Sequence, residues 1–257
     1  MNKKRLFYDI ETSFCEGHFW RPGYNQQINA SQILKHSQII CISWAWNDGE
    51  VQHLDWDLEK QCDKKLLKKF IKELDKADEI IAHNGDKFDI KTIRTRAMYH
   101  NLEMRPKYRM IDTYKLCKSY LNLPSASLKE ACKYFSIEQK ADSGGMDTWL
   151  GVVLNKDQKA MDDMLYYCDH DIIALRSLYN KLQPWIAPSF HYAVKDGGKK
   201  FMCPECGSAN VGHSKDYVTR AGTIQRYVKC RECKKNYTIS NRVFQKLLAF
   251  KWKHGIK

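Results

Sequence analysis

Two Cys-x-x-Cys pairs, Cys203-Pro-Glu-Cys206 and Cys230-Arg-Glu-Cys233, stand 23 residues apart near the end of the chain. No other feature constrains local folding as tightly, because four thiolates closing one tetrahedral zinc site oblige two tight knuckles to meet. A segment this short has little core of its own. One structural Zn2+ is therefore expected on Cys203, Cys206, Cys230 and Cys233, and a catalytic zinc is not. The other six of the ten cysteines are scattered singly through apolar segments. That distribution fits a reducing cytoplasm rather than a disulfide framework.

The charge is concentrated in the same region. Of a formal net charge of +13, residues 195–257 hold 15 Lys and Arg against 4 Asp and Glu, whereas residues 1–194 hold 28 against 26. A local cationic excess suits a polyanion-binding module, since each neutralised phosphate releases condensed counterions. Arg220, Arg226, Lys229, Arg231, Lys234 and Lys235, interleaved with Tyr217, Tyr227 and Tyr237, are the candidate nucleic-acid contacts. A solvated basic surface and a protein-docking ribbon are the competing readings. No apolar run approaches the roughly 20 residues that span a bilayer, and the chain runs from MNKKR directly into a strand pattern. Neither a membrane anchor nor a signal peptide is expected, and the expected location is cytoplasmic.

Before the cysteine module, strand and helix patterns alternate, which predicts an α/β layer fold. Arg5–Ile10, Gln38–Trp46 and Val51–Leu54 read as strands, with Asn47-Asp48-Gly49 turning between the last two. Thr12–Ser37 is long for a structureless connection and predicts a functional loop or short helix. Leu66, Leu67, Phe70, Ile71 and Leu74 have amphipathic-helix spacing, and Glu79–Ala82 returns as a buried strand. A helix near Asp89–Met98, a strand at Arg109–Ile111 and a helix capped by Ser127 follow. A long helix from about Lys156 to Leu182 is stopped by Pro184 and Pro188. The polar, glycine-containing stretch Lys195–Lys200 reads as a linker or a strand-entry turn. These signals divide the chain into a domain over 1–190 and a module over 196–257.

Three acidic elements carry the chemistry. Asp9 and Glu11 are two apart on the first strand, so both carboxylates point to one face. Their strand is apolar enough to be central, where unpaired carboxylates are costly and a shared cation would remove the cost. His83-Asn-Gly-Asp-Lys-Phe-Asp89 follows another apolar strand, with Asn84 and Gly85 turning the chain and Phe88 expected to pack beneath Asp89. Tyr167 and Asp171 are four apart on the long helix and share a face. Asp112 is adequately explained as an N-cap for a helix from Thr113. Phe14, Phe19 and Trp20 read more readily as core residues than as a stacking platform for a base.

Phe-Tyr-Asp9-Ile-Glu11-Thr, Asn84-x-x-x-Phe88-Asp89 and Tyr167-Cys-x-x-Asp171 occur in the order found in the DEDDy 3′→5′ exonucleases. Over roughly residues 1–185 the chain resembles the proofreading domains of family B DNA polymerases. Ile111-Asp112-Thr113 and Ser127-Leu-Lys are similar to the segments between the second and third motifs. The resemblance implies a ribonuclease H-like mixed sheet flanked by helices, with a small C-terminal zinc ribbon. It further implies two-metal hydrolysis of terminal phosphodiesters with two Mg2+ or Mn2+ on Asp9, Glu11, Asp89 and Asp171. Tyr167 would then position the attacking water. The implied substrate is DNA, as single strands or frayed 3′ ends, with a polymerase or other replication protein acting in trans as an expected partner. RNA 3′-end trimming and a recruitment role on an inert nuclease fold are the alternatives. Residues 222–238 also resemble zinc ribbons of insertion-element transposases, which implies nucleic-acid contact. A transposase, however, leaves Tyr167 and Asp171 unexplained.

Overall fold

Strand β1 (Arg5–Thr12) organises the larger part of the chain. It lies at the middle of a five-stranded sheet completed by β4 (Ile39–Trp46), β5 (Val51–Asp55), β6 (Glu79–Ala82) and β7 (Met110–Asp112), in the order β5-β4-β1-β6-β7. The β1/β4 and β4/β5 pairs are antiparallel, and β1/β6 and β6/β7 are parallel. Two further short strands, β2 (Glu16–Gly17) and β3 (Ile33–Lys35), pair with each other after β1. The structure, a computed structural model, describes residues 3–20, 28–137, 144–188 and 190–256. It divides into two compact units, Lys3–Tyr179 and Asn180–Lys257.

Alternation along β1 sends Leu6, Tyr8 and Ile10 to one face and Arg5, Phe7, Asp9 and Glu11 to the other. On the first face Tyr8 meets Phe70 of helix α1 (Lys64–Lys76) at 5.7 Å between ring centroids. The predicted apolar stripe of α1, Leu66, Leu67, Phe70, Ile71 and Leu74, is buried throughout. Buried Asp63 ties this layer together. Its carboxylate accepts two hydrogen bonds from Arg96, at 2.7 and 2.9 Å, and one from the Ile39 amide, and meets His100 at 2.6 Å. It thus joins the start of β4 to helix α2 (Asp89–Tyr99) and the residue after it.

On the second face Phe7 packs edge-on against Tyr179 of helix α6 (Gln158–Leu182) at 5.5 Å. Preceding it in the chain are helices α3 (Thr113–Tyr120), α4 (Leu128–Tyr134) and α5 (Met146–Val153). The Ser127 hydroxyl caps α4 as expected. The sequence reading did not anticipate α5. The expected segment Thr12–Ser37 contains β2, a short 3-10 turn at Ala30–Gln32 and β3, while residues 21–27 lie outside those described. Phe14 packs against the core, but Phe19 and Trp20 are exposed. Core packing therefore holds for only one of the three aromatics.

The smaller unit is built on an antiparallel sheet, β10-β9-β8, from β8 (Val211–Val218), β9 (Ile224–Cys230) and β10 (Asn236–Ser240). Helix α8 (Asn241–His254), capped by Ser240 and stopped by Gly255 in the left-handed region, buries Phe244 and Leu247 against that sheet's core. The stretch Lys195–Lys200, read as a linker or strand-entry turn, is mostly exposed and its backbone is hydrogen-bonded to the short helix before it. Helix α7 (Tyr192–Lys195) buries Tyr192 and Ala193, and the Gly198 amide donates to the Ala193 carbonyl at 2.6 Å. A Cβ at Gly198 would lie 2.7 Å from that oxygen, so the close approach requires glycine. Among the described residues, no helix is long and apolar enough to cross a membrane.

Candidate functional site

Asp9 and Glu11 project from the central strand on the face that α6 covers. In the sheet register Asp9 stands opposite Ser43 and Glu11 opposite Cys41, both on β4. The Ser43 hydroxyl donates to Asp169 of α6 at 2.6 Å, and His53 of β5 meets the other Asp169 oxygen at 2.9 Å. Farther along, Arg176 donates to the Gly49 carbonyl at 2.6 Å. These polar contacts fix the rotation and height of α6 over the sheet. Cys168 consequently lies against β1, with its Sγ 3.8 Å from Asp9 Oδ2, and donor atoms of Asp9, Glu11 and Cys168 fall within 4.8 Å of one another. Tyr167 is half-buried beside it, and Asp171 is buried one helical turn on. Tyr166 faces outward with its ring 4.0 Å from that of His170, whose Nδ1 bonds the Tyr166 carbonyl at 2.8 Å. Of the two adjacent tyrosines, Tyr167 is therefore the one turned inward.

The third segment arrives from β6. After Ala82 the chain turns through Asn84, which sits at φ 65°, and Gly85, where a Cβ would come within 2.5 Å of Ala82 Cβ and 2.4 Å of Met110 Cε. Only glycine allows the loop to lie this close to the sheet. Asp112 holds the loop in place. Its carboxylate caps α3 through the amides of Tyr114 and Lys115 and also accepts the Asn84 amide at 2.9 Å and the Asp86 amide at 3.3 Å. The capping role read from sequence is correct, and the loop-holding role was missed. Asp89 then opens α2 with its carboxylate buried and hydrogen-bonded by the Ile10 amide, the residue between Asp9 and Glu11. Phe88 does not pack beneath it as expected, being 46% exposed.

Burial pushes the Asp89 carboxyl up to about 7, and the nearby Asp112 charge acts in the same direction. The sheet and loop thus bring Asp9, Glu11 and Asp89 to β1, where burial disfavours the ionised form of Asp89. Such a donor set fits hard divalent cations such as Mg2+ or Mn2+, which would return Asp89 to its ionised state. A consequence follows for the cation-free protein. The folded value lies above the roughly 3.9 of an unfolded aspartate, so the native state holds a proton that the unfolded chain releases. The stabilising contribution is full below about pH 4 and is lost as pH rises through about 7. Asp89→Asn should therefore raise the thermal midpoint of the larger unit by about 3 °C or more at pH 8 without divalent cations, and have little effect at pH 4. A shift of equal size at both pH values would contradict this account.

In the smaller unit the four predicted thiols converge. Cys203 Sγ is 3.5 Å from Cys233 Sγ, Cys206 Sγ is 3.5 Å from Cys230 Sγ, and all four lie within 4.8 Å of one another. Tetrahedral zinc with bonds near 2.3 Å spaces its sulfurs by about 3.8 Å, so the cluster fits that ion. The two knuckles are built alike, each turning through positive φ four residues after its first cysteine, at Gly207 (74°) and Lys234 (63°).

Lys229, Arg231 and Lys234 are exposed near the cluster, and Arg220 is exposed in the turn at the far end of the β8–β9 hairpin. Two of the proposed contacts need correcting. Lys235 is buried, with its Nζ donating to the Gln183 carbonyl, so it is withheld from any ligand. Arg226 lies across the Phe244 ring, pairs with Asp216 and donates twice to Asn241. It serves the ribbon's own packing.

The sequence profile of the RNase_H superfamily matches residues 31–183. The chain belongs to the RNase_H superfamily. The expected mixed sheet flanked by helices is borne out. Among solved structures, the chain is similar to the family B DNA polymerase from the hyperthermophilic archaeon Pyrobaculum calidifontis, at 15% identity and a TM-score of 0.55. That match covers 71% of this chain and 25% of the polymerase, so the chain spans about a quarter of the polymerase's length. At this identity the likeness is one of fold. No curated protein matches. Asp89, Tyr167 and Asp171 lie within the superfamily match, and Asp9 and Glu11 precede it on the strand at the centre of the sheet.

Proposed function

We propose that the larger unit is a metal-dependent 3′→5′ exonuclease acting on single-stranded or frayed 3′ ends of DNA. One observation carries the reading: three segments far apart in sequence meet at the strand that carries Asp9 and Glu11. Asp89 meets the Ile10 amide between Asp9 and Glu11, and Cys168, set between Tyr167 and Asp171, touches Asp9. Membership of the RNase_H superfamily supports nucleic acid as the substrate.

Asp9, Glu11, Asp89 and Asp171 would hold two Mg2+ or Mn2+, which supply nucleophile activation and neutralise charge on the phosphate and the departing 3′ oxygen. Asp9 would help to hold both ions, and Glu11 would also orient the attacking water. A phenol is a weak base near neutral pH, so Tyr167 contributes a hydrogen bond that aims the water rather than taking its proton. The smaller unit is proposed as a zinc ribbon whose exposed Arg220, Lys229, Arg231 and Lys234 raise affinity for the strand. A polymerase or other replication protein acting in trans is the partner that this reading implies.

Oligonucleotides labelled at the 5′ or the 3′ end, as DNA and as RNA, test the direction and the sugar with Mg2+ or Mn2+. The expected result is a descending ladder from the 5′ label and immediate release of labelled mononucleotide from the 3′ label, on DNA. Preference for RNA would favour end-trimming of RNA by the same residues, since the 2′-hydroxyl decides that choice. Absence of cleavage on every substrate would overturn the enzymatic reading.

A further inference from the structure

Within the smaller unit, a pocket of about 520 Å³ opens where α7, the edge strand β10 and the first turn of α8 meet. That size falls inside the roughly 300–1,000 Å³ of small-ligand sites. Val194, Ile239 and Val243 give it an apolar lining, Phe190 adds an aromatic ring, and Lys195 and Lys200 supply two cations. Among the described residues that line it there is no carboxylate. Val194 is 40% exposed although Tyr192 and Ala193 just before it are buried, so a branched apolar side chain is held open to solvent here.

The turn Lys195–Lys200, which the acidic centre does not use, is shaped to bring its two terminal lysines together. His191 Nδ1 accepts the Val194 amide at 3.4 Å, which leaves its proton on Nε2 to donate to the Lys200 carbonyl at 3.1 Å. The Gly198 amide closes the same turn onto the Ala193 carbonyl. His191, with both nitrogens engaged, is a strut rather than a ligand. Lys195 lies 5.9 Å from the Tyr192 ring centroid, and Lys200 is exposed and makes no ion pair among the described residues.

We propose that this pocket takes one nucleotide of a single strand, with its base against Phe190 and the branched side chains and its flanking phosphates beside Lys195 and Lys200. This rests on the ribbon's proposed role in raising affinity for the strand, and adds to its surface cations a contact with the base itself. Two cations with no carboxylate between them select an anion, and the apolar lining selects one that carries a flat apolar face. A nucleotide has both, whatever its base. A hydrophobic peptide would fill the apolar part and leave both cations unneutralised.

The test uses the full chain with its zinc retained and a fluorescent oligodeoxythymidylate in buffer without added divalent cations, with affinity followed by anisotropy over a range of salt. Lys195→Ala/Lys200→Ala and Phe190→Leu are compared with Lys68→Ala/Lys72→Ala, which removes two exposed charges from α1, and zinc content checks that the ribbon is intact. The pocket lysine pair should weaken binding about tenfold and flatten the slope of log K against log salt by about 1.4, at about 0.7 for each phosphate on a single strand. Phe190→Leu should weaken binding about fivefold with the slope unchanged, because stacking releases no counterions. An abasic strand of the same length should lose the difference between Phe190→Leu and the wild type. The α1 variant should bind like the wild type. Pocket variants that bind like the α1 variant would overturn the proposal, even if Arg231→Ala/Lys234→Ala weakens binding and so upholds the ribbon. No binding by the wild type would overturn the pocket and the ribbon's role together. Weakened binding by the pocket variants, with no digestion by the wild type, would sustain the pocket and refute the nuclease.

Discussion

Asp9→Asn is expected to slow phosphodiester hydrolysis by about 10⁴-fold, or roughly 5.4 kcal/mol at 1.36 kcal/mol per decade, while leaving the fold intact. Asn preserves the shape of a side chain whose strand is held on both sides, by β4 and by β6. It removes one negative charge at the point where Glu11, Cys168 and the Asp89 hydrogen bond to Ile10 converge. Loss of a carboxylate that would help to hold both cations should impair both, whereas Tyr167→Phe removes one hydrogen bond and should lower the rate only about tenfold. Steady-state rates with Mn2+ measure the two effects, and circular dichroism with thermal melting checks the fold. Equal losses from the two substitutions would transfer the main role from the carboxylate to the phenol. An active Asp9→Asn would remove the metal mechanism altogether.

The legible parts of the fold are those in which burial follows a continuous face. The stripe on α1 and the run Ile39–Trp46 bury their side chains over many residues, so the repeat is visible in composition alone. The acidic residues are legible for a related reason, since strand spacing puts Asp9 and Glu11 on one face and helix spacing does the same for Tyr167 and Asp171. What escaped depends on contacts distant in sequence. Lys235 resembles any cation of a basic tail until its amine is seen against the Gln183 carbonyl. Phe88 was expected inside because it is aromatic, yet successive residues on a helix diverge by about 100°. Burying Asp89 toward β1 therefore turns Phe88 outward. Helix α8 was hidden by its own lysines and arginines, which read as charge before Phe244 and Leu247 read as a stripe. Nothing in the sequence of the long helix sets Cys168 apart from its apolar neighbours, and only Ser43 and Asp169, holding that helix over β4, reveal that its thiol faces Asp9.

Removing zinc should unfold the smaller unit and leave the larger one folded. The core of the smaller unit contains Phe201, Val211, Val228, Tyr237, Ile239, Phe244 and Leu247 together with the buried thiols of Cys203 and Cys230. The would-be ligands are thus themselves part of that core. Units this small rarely gain more than a few kcal/mol from burial alone, whereas zinc binding by four thiolates contributes about 10–16 kcal/mol near neutral pH. Without the ion, burial pushes the Cys203 and Cys233 thiols up, and the knuckles lose the bond that joins the segment before β8 to the end of β9. Chelation, or Cys230→Ser, should therefore abolish hydrogen-exchange protection at β9 amides such as Val228 while sparing Ile80 and Ile81 of β6. The purified protein should contain one zinc per chain, and limited proteolysis after chelation should release a stable fragment ending near Tyr179. Retained protection at Val228 after complete removal of the metal would show that the sheet and α8 hold the unit together without it.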